Sequence, residues 1–159
     1  MKKLTYVIGV GALIASIGLS GCATDEMNLG MPYDGDAAEE ETSNKIVGSV
    51  EEWKVKVSAK SAIAGEVTFA IANFGTMPHE FLVVKTDLPL GEIPLGSNNR
   101  FDEDAEGLEV VDEIPEWEPN TAGVLNVKLE PGKYQLLCNI EAHYKNGMYT
   151  PFEVLSEEK

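Results

Sequence analysis

The segment YQLLCNIEAHYKNGM, residues 134–148, is an apolar run that ends in a cysteine and continues to a histidine and a methionine. Four residues separate Cys138 from His143, and four more separate His143 from Met148. Short apolar runs bounded by turn residues are typical of buried strands. The segment therefore predicts a strand leading into a loop on which three potential metal ligands can face one point.

The rest of the chain from Lys45 onward shows the same pattern of short apolar runs. Residues 53–57, 67–71 and 124–129 alternate with period two, which predicts strands with one buried and one exposed face. Residues 81–84 and 134–138 are continuously apolar and predict inner strands, and residues 148–155 predict a last one. Roughly seven strands, which we expect to pair in antiparallel sheets, favour an all-β fold, a Greek-key two-sheet β-sandwich.

Composition limits the class of protein. A chain of 159 residues with 43% hydrophobic content has room for one ordinary domain, which excludes a large multidomain enzyme. The 27 acidic and 12 basic side chains give a net charge of −15. Because such a surface repels phosphate backbones, nucleic-acid binding is not expected. We expect a monomer.

The N-terminal residues predict export and lipid attachment. Residues 1–21 have two lysines, an apolar run and a small-residue end, which together indicate a signal peptide. An uncleaved membrane helix is the alternative, but the apolar stretch is short for a span. The junction Leu19-Ser20-Gly21-Cys22 resembles a bacterial lipobox, which implies lipidation of Cys22 and a bacterial membrane anchor facing the periplasm or the cell exterior.

Residues 22–44 predict a disordered acidic tether between the lipid anchor and the domain at residues 45–156. The segment has seven acidic side chains and no basic one, so it has little tendency to collapse. Met27 and Met31 could bind copper(I), but two thioethers alone are weak evidence for a site, and we interpret them as linker residues. Without the signal peptide the chain has ten basic and 27 acidic side chains, a net charge of −17.

The two histidines and the one cysteine outside the lipobox fall at ends of predicted strands. His79 lies in NFGTMPHEF, residues 73–81, after the strand at 66–72, and an adjacent strand would place it opposite the Cys138 loop. Singly, such residues are usually a buried thiol and hydrogen-bonded histidines. Together, two imidazoles, a thiolate and a thioether suit copper in the blue-copper geometry.

This pattern resembles the cupredoxins, and the four-residue spacers are similar to those of the sulfocyanin, rusticyanin and auracyanin group. The resemblance implies His79, Cys138 and His143 as equatorial ligands, Met148 as the axial ligand of one Cu(I)/Cu(II) ion, and an electron carrier that is not an enzyme. It also implies that the ring edge of His143 reaches the surface. Glu80 stands where plastocyanin-like proteins often have Asn, although its backbone N–H could still donate to the Cys138 sulfur.

Further residues are expected around this metal site. Asn73 and Asn139 are candidates for bracing the two ligand loops. Four apolar residues could form the centre of a partner-docking surface around His143, and they are Met77, Pro78, Ile140 and Tyr144. For Met77 we expect packing at the rim of the site rather than ligation.

The last expectations concern the acidic segment 87–120 and the redox partners of the protein. We expect this segment to be a solvated excursion across the sandwich face with Trp117 packed on the core, and an acidic docking surface is the alternative. Its charge would attract basic redox proteins such as c-type cytochromes, and terminal oxidases or reductases are further candidates. A competing functional hypothesis is a copper-delivery or copper-buffering lipoprotein.

Overall fold

The computed structural model describes residues 42–157, which form nine strands and two short 3₁₀ turns. The 3₁₀ turns span Ser97–Asn99 and Tyr144–Asn146. The strands are β1 (Lys45–Glu51), β2 (Lys54–Val57), β3 (Ser61–Ile63), β4 (Gly65–Asn73), β5 (His79–Thr86), β6 (Leu108–Trp117), β7 (Ala122–Leu129), β8 (Gly132–Leu137) and β9 (Tyr149–Leu155). One sheet has the order β2-β1-β4-β7 and the other β3-β9-β8-β5-β6, which confirms the predicted two-sheet sandwich.

The direction of strand pairing differs from the prediction at two places. β1 pairs with β4 in parallel, and β3 pairs with β9 in parallel, so both sheets are mixed rather than purely antiparallel. Alternation of apolar residues fixes which face of a strand is buried, but it carries no information about the direction of the neighbouring strand. The prediction of antiparallel sheets was therefore wrong for these two pairs.

The core lies between the two sheets and follows the alternation in the sequence. In β4 the side chains of Val67, Phe69 and Ile71 are buried, and the residues between them face outward. The ring of Phe69 contacts the rings of Phe81 and Phe152 across the sandwich, at centroid distances of 5.4 and 5.6 Å. These contacts join β4 to strands β5 and β9 of the other sheet.

The segment 87–120 crosses the face of the sandwich and is mostly exposed, as predicted, but it is partly buried and ends in a strand, which the prediction did not include. Its first part covers the outer face of the five-stranded sheet, where Ile93 and Phe101 are buried against a second apolar cluster that includes Leu82. Its second part is β6, which pairs with β5 at the edge of the sheet and carries exposed acidic side chains. An edge strand tolerates the proline at position 115. Trp117 does pack partly buried on the core, as expected.

The two ends of the described chain lie together, at the end of the sandwich where β1 begins. The side chain of Asn44 donates to the carbonyl of Ile63, at 2.9 Å, and the backbone N–H of Ala64 donates to the carbonyl of Leu155, at 2.8 Å. Ser43 also donates its backbone N–H to Ser61. The residues just before Lys45 therefore contact the domain.

Candidate metal centre

The fold brings the two ligand-bearing segments together at one end of the sandwich. His79 is the first residue of β5, and Cys138 follows the last residue of β8. β5 and β8 are antiparallel neighbours in register from Leu82↔Leu137, so the start of one strand meets the end of the other. The prediction that an adjacent strand places His79 opposite the cysteine loop is confirmed.

The loop from Cys138 to Met148 is closed by its own backbone hydrogen bonds. Cys138 donates its N–H to the carbonyl of Met148, at 3.1 Å, and Met148 donates its N–H to the carbonyl of His143, at 3.2 Å. Gly147 has a φ of 97°, a left-handed conformation that costs glycine little. The two four-residue spacers thus form a compact double turn that carries the three residues.

Three donor atoms converge at this end of the sandwich. The Nδ1 atom of His143 lies 3.2 Å from the Sγ atom of Cys138 and 3.2 Å from the Nδ1 atom of His79, and the third side of the triangle is 4.0 Å. A circle through these three atoms has a radius of about 2.05 Å, and its centre lies inside the triangle. Nitrogen and sulfur ligands bind first-row metals such as zinc at about 2.0–2.3 Å. The triangle therefore fits one metal ion held by all three atoms.

Burial sets the protonation states of these groups. His79, Cys138 and Met148 are fully buried, and His143 is 3% exposed. Burial, and then the neighbouring His79, lowers the pKa of His143 to about 4, and burial also lowers the pKa of His79. Both imidazoles are therefore neutral at pH 7, which is the form that binds metal. Burial raises the pKa of the Cys138 thiol to about 12, so metal binding must displace the thiol proton.

Two asparagines brace the ligand segments, as the sequence indicated. The buried side chain of Asn73 donates to the carbonyls of Met77 and Trp117, at 3.0 and 3.1 Å, and accepts the N–H of Gly75. The side chain of Asn139 forms a pair of hydrogen bonds with the backbone of Phe101, accepting at 2.7 Å and donating at 3.2 Å. The first asparagine orders the chain before His79, and the second ties the cysteine loop to the segment that covers the sheet.

Glu80 contacts the cysteine in the expected way and adds a feature that the sequence did not reveal. Its backbone N–H donates to the Sγ atom of Cys138, at 3.5 Å. Its carboxyl group is largely buried with the oxygen Oε1 unpaired, and desolvation raises its pKa to about 7, although Asn139 and Arg100 act in the opposite direction. The side chain therefore exchanges a proton near neutral pH.

Sequence reasoning missed two residues of the β1–β2 turn that contact the histidines. The indole of Trp53 packs edge-on against the ring of His143, at a centroid distance of 5.1 Å, and a carboxylate oxygen of Glu52 lies 3.5 Å from the Nε2 atom of His79. These two residues precede His79 by more than twenty positions, and no local motif marks them. Their role follows from the β1–β4 pairing, which brings the turn to the ligand end of the sandwich.

The proposed docking residues have different exposures. Met77 is 38% exposed, whereas Pro78 and Ile140 are half-buried. Tyr144 was placed at the surface in error, because its ring packs between Phe101 and Tyr149 and its hydroxyl accepts the N–H of Ile93. The expectation that the ring edge of His143 reaches the surface was wrong, because His143 is buried and Trp53 packs against it. The exposed apolar side chains near this end include Trp53, Phe74 and Met77.

The predictions for the N-terminal part of the chain concern residues outside the described range. The signal peptide, the lipidated Cys22, Met27 and Met31 all precede Thr42. Between residues 42 and 157 the chain has no helix long and apolar enough to cross a membrane.

Comparison with known proteins identifies the fold. No family model matches the chain, and no curated protein matches it. Among solved structures, a dithionite-reduced auracyanin from Roseiflexus castenholzii is 18% identical, with a TM-score of 0.52 over 72% of this chain and 98% of that one. Auracyanin A from Chloroflexus aurantiacus, described as a blue copper protein, is 17% identical, with a TM-score of 0.52 over 72% and 99%. Rusticyanin from Thiobacillus ferrooxidans is 17% identical, with a TM-score of 0.52 over 73% and 79%.

These neighbours are cupredoxins, and the chain has the cupredoxin fold. The end of the sandwich at which β5 starts and β8 ends carries a His, Cys, His and Met set. Two imidazole nitrogens and one thiolate, with a buried thioether in the same loop, are the donors that a single copper ion takes in blue-copper sites. The residues present therefore fit copper.

Proposed function

We propose that this protein is a mononuclear blue copper protein that carries single electrons between redox partners and is not an enzyme. The observation that supports this most is the triangle formed by the Nδ1 atoms of His79 and His143 and the Sγ atom of Cys138. These three residues would hold the ion, and the buried thioether of Met148 in the same loop would be a weaker fourth donor.

The surroundings of the site support electron transfer over copper delivery. Bound copper would supply one-electron exchange between Cu(II) and Cu(I). Delivery needs ligands that a partner can reach, but His79 and Cys138 are fully buried. The hydrogen bonds of Asn73, Asn139 and the Cys138 loop hold the donor side chains in place, which favours a site that changes little between oxidation states.

Location and partners form a second part of the proposal. The lipobox-like junction at Cys22 supports an exported protein anchored in a bacterial membrane. The net charge of −15 and the exposed acidic side chains of β6 favour basic redox partners such as c-type cytochromes. Membrane oxidases or reductases are further candidates, since a tether would hold the domain near them at high effective concentration.

Reconstitution with copper tests the function. Adding Cu(II) to the apo-protein should give an intense visible thiolate-to-copper band, one ion bound per chain and reversible one-electron voltammetry. A Cys138→Ser variant is the control and should stay colourless. A parent protein that binds copper without colour and quickly yields Cu(I) to a chelator would support delivery instead, and a protein that retains no copper would refute both functions.

A further inference from the structure

The imidazole of His79 has one nitrogen at the metal site and one nitrogen without a partner. Its Nδ1 atom faces Cys138 and His143, whereas its Nε2 atom is buried and makes no hydrogen bond. When Nδ1 binds a metal, the ring proton must reside on Nε2. A buried N–H donor without an acceptor costs free energy, so the position requires an acceptor nearby.

Glu52 has the chemistry and the position of that acceptor. Its carboxylate oxygen Oε1 lies 3.5 Å from Nε2, a few tenths of an ångström beyond a hydrogen bond. The same oxygen accepts the backbone N–H of Thr76, at 2.7 Å, and that of Met77, at 3.2 Å. These bonds hold the carboxylate against the chain segment that leads into His79.

The electrostatics of Glu52 favour its charged form. Burial by itself raises the pKa of a carboxyl group, but the backbone N–H groups and the Thr76 hydroxyl act in the opposite direction, and the pKa of Glu52 lies below its usual value. Glu52 is therefore a carboxylate at neutral pH. A negative charge beside the distal nitrogen increases the electron donation of the ring to a metal.

Gly75 leaves the space in which the two groups approach each other. A Cβ atom at position 75 would lie 2.5 Å from Nε2 of His79 and 2.8 Å from Oε1 of Glu52. Both distances are shorter than real Cβ contacts, so a side chain there would separate the pair. Because Gly75 has no side chain, His79 and Glu52 can lie close to each other.

We propose that Glu52 is a positioning residue that accepts the Nε2–H of metal-bound His79 and makes the site favour Cu(II) over Cu(I). The proposal rests on the function above in that His79 binds metal through Nδ1. A fixed negative charge stabilises the doubly charged ion more than the singly charged one. A bound ion would change its charge by one electron, and the proton of His79 would stay on Nε2 in both oxidation states, held by Glu52.

The test compares two single variants of the same turn. Glu52→Gln removes the charge but keeps an acceptor oxygen for Thr76 and Met77. Glu51→Gln is the matched control, because it makes the same charge change in a residue that pairs instead with Lys56, at 2.8 Å. Three quantities are measured for each variant and the parent: the affinity of the apo-protein for Zn(II), the copper reduction potential, and the exchange rate of the His79 Nε2–H proton by NMR in the Zn(II) form.

Glu52→Gln should weaken Zn(II) binding about tenfold, since partners of ligand histidines typically contribute that much or more. It should weaken Cu(II) relative to Cu(I) by a similar factor, a rise in potential of about 59 mV for one electron. The Nε2–H proton should exchange faster, and Glu51→Gln should change none of the three. Equal Zn(II) affinity, potential and exchange in the two variants would overturn the proposal.

The two proposals fail in different ways. A protein that develops no visible band with copper refutes the blue copper function, but Zn(II) affinity and the Nε2–H exchange still report on Glu52. If the copper protein is blue and Glu52→Gln differs from Glu51→Gln in none of the measurements, only the role of Glu52 is refuted. A Glu52→Gln apo-protein that keeps the parent's unfolding midpoint excludes a general loss of folding as the cause of any change.

Discussion

Replacing Glu80 by Gln should stabilise the apo-protein at alkaline pH and have a much smaller effect at acid pH. The parent carboxyl group is buried with one oxygen unpaired, and desolvation raises its pKa from 4.5 to about 7. Between these two values the folded protein binds a proton that the unfolded chain has released. The contribution of Glu80 to stability is therefore full below pH 4.5 and is lost as the pH rises through 7.

The size of the effect follows from the two pKa values. Integrating the difference in bound protons between pH 5 and pH 8 gives about 2–3 kcal/mol of stability that the parent loses and the glutamine variant keeps. Terms from His79 and His143 are common to both proteins and cancel in the comparison. With a urea m value of about 2 kcal/mol/M, the midpoint difference should grow by about 1 M over this range.

Urea unfolding of metal-free protein at several pH values, followed by circular dichroism, measures this difference. Glu109→Gln is a suitable control, because Glu109 is an exposed acid on β6. It removes the same formal charge without a buried carboxyl group. A midpoint difference for Glu80→Gln that is the same at pH 5 and pH 8 would refute the reasoning, since a pH-independent gain cannot come from a raised pKa.

Three further variants test the site and its surface. Cys138→Ala should abolish the visible copper band while the apo-domain still folds, with a loss of about 1–2 kcal/mol in urea unfolding because a small buried side chain is removed; a variant that stays blue contradicts the assignment. Met148→Gln should retain copper and lower the reduction potential, since it removes a soft ligand that favours Cu(I); unchanged voltammetry would move the axial role elsewhere, with Met77 next. A quadruple amide variant should associate with a basic cytochrome about tenfold more slowly at low salt, with a flatter salt dependence and the same spectrum in stopped-flow experiments; equal salt slopes would exclude a steering role. Its substituted residues are Asp102, Glu103, Asp104 and Glu106.

Most of the sandwich could be predicted because its strands carry local signals. The alternation in β4 and β7 and the continuous apolar runs in β5 and β8 each mark a strand within one short window. β6 lacked such a signal. Its exposed acidic residues and its proline occur in edge strands and in loops alike, so the composition does not distinguish the two. The two parallel strand pairs were missed because the direction of a strand relative to its neighbour depends on which distant strand it pairs with, and no local pattern shows this.

The candidate ligands could be predicted from residue type and spacing, whereas their surroundings could not. His79, Cys138 and His143 carry metal-binding chemistry in themselves, and two of them share one loop. Glu52 and Trp53 gain their contacts only when the β1–β2 turn reaches the ligand end of the sandwich. Tyr144 likewise becomes buried only because the segment that contains Ile93 folds over the sheet.

The two ends of the described range, at Asn44 and Leu155, lie beside Ile63 and Ala64 and offer one region for attachment. β1 begins there and runs for seven residues, about 23 Å, before its turn delivers Glu52 and Trp53 to the ligand loops. A gold or graphite electrode coupled through either end of the domain would therefore hold it with the histidines and Trp53 directed away from the support. Coupling through Met77 or Lys54 would turn the same groups toward the electrode. Comparing the two attachments therefore distinguishes direct electron transfer to the electrode from electron transfer to dissolved partners.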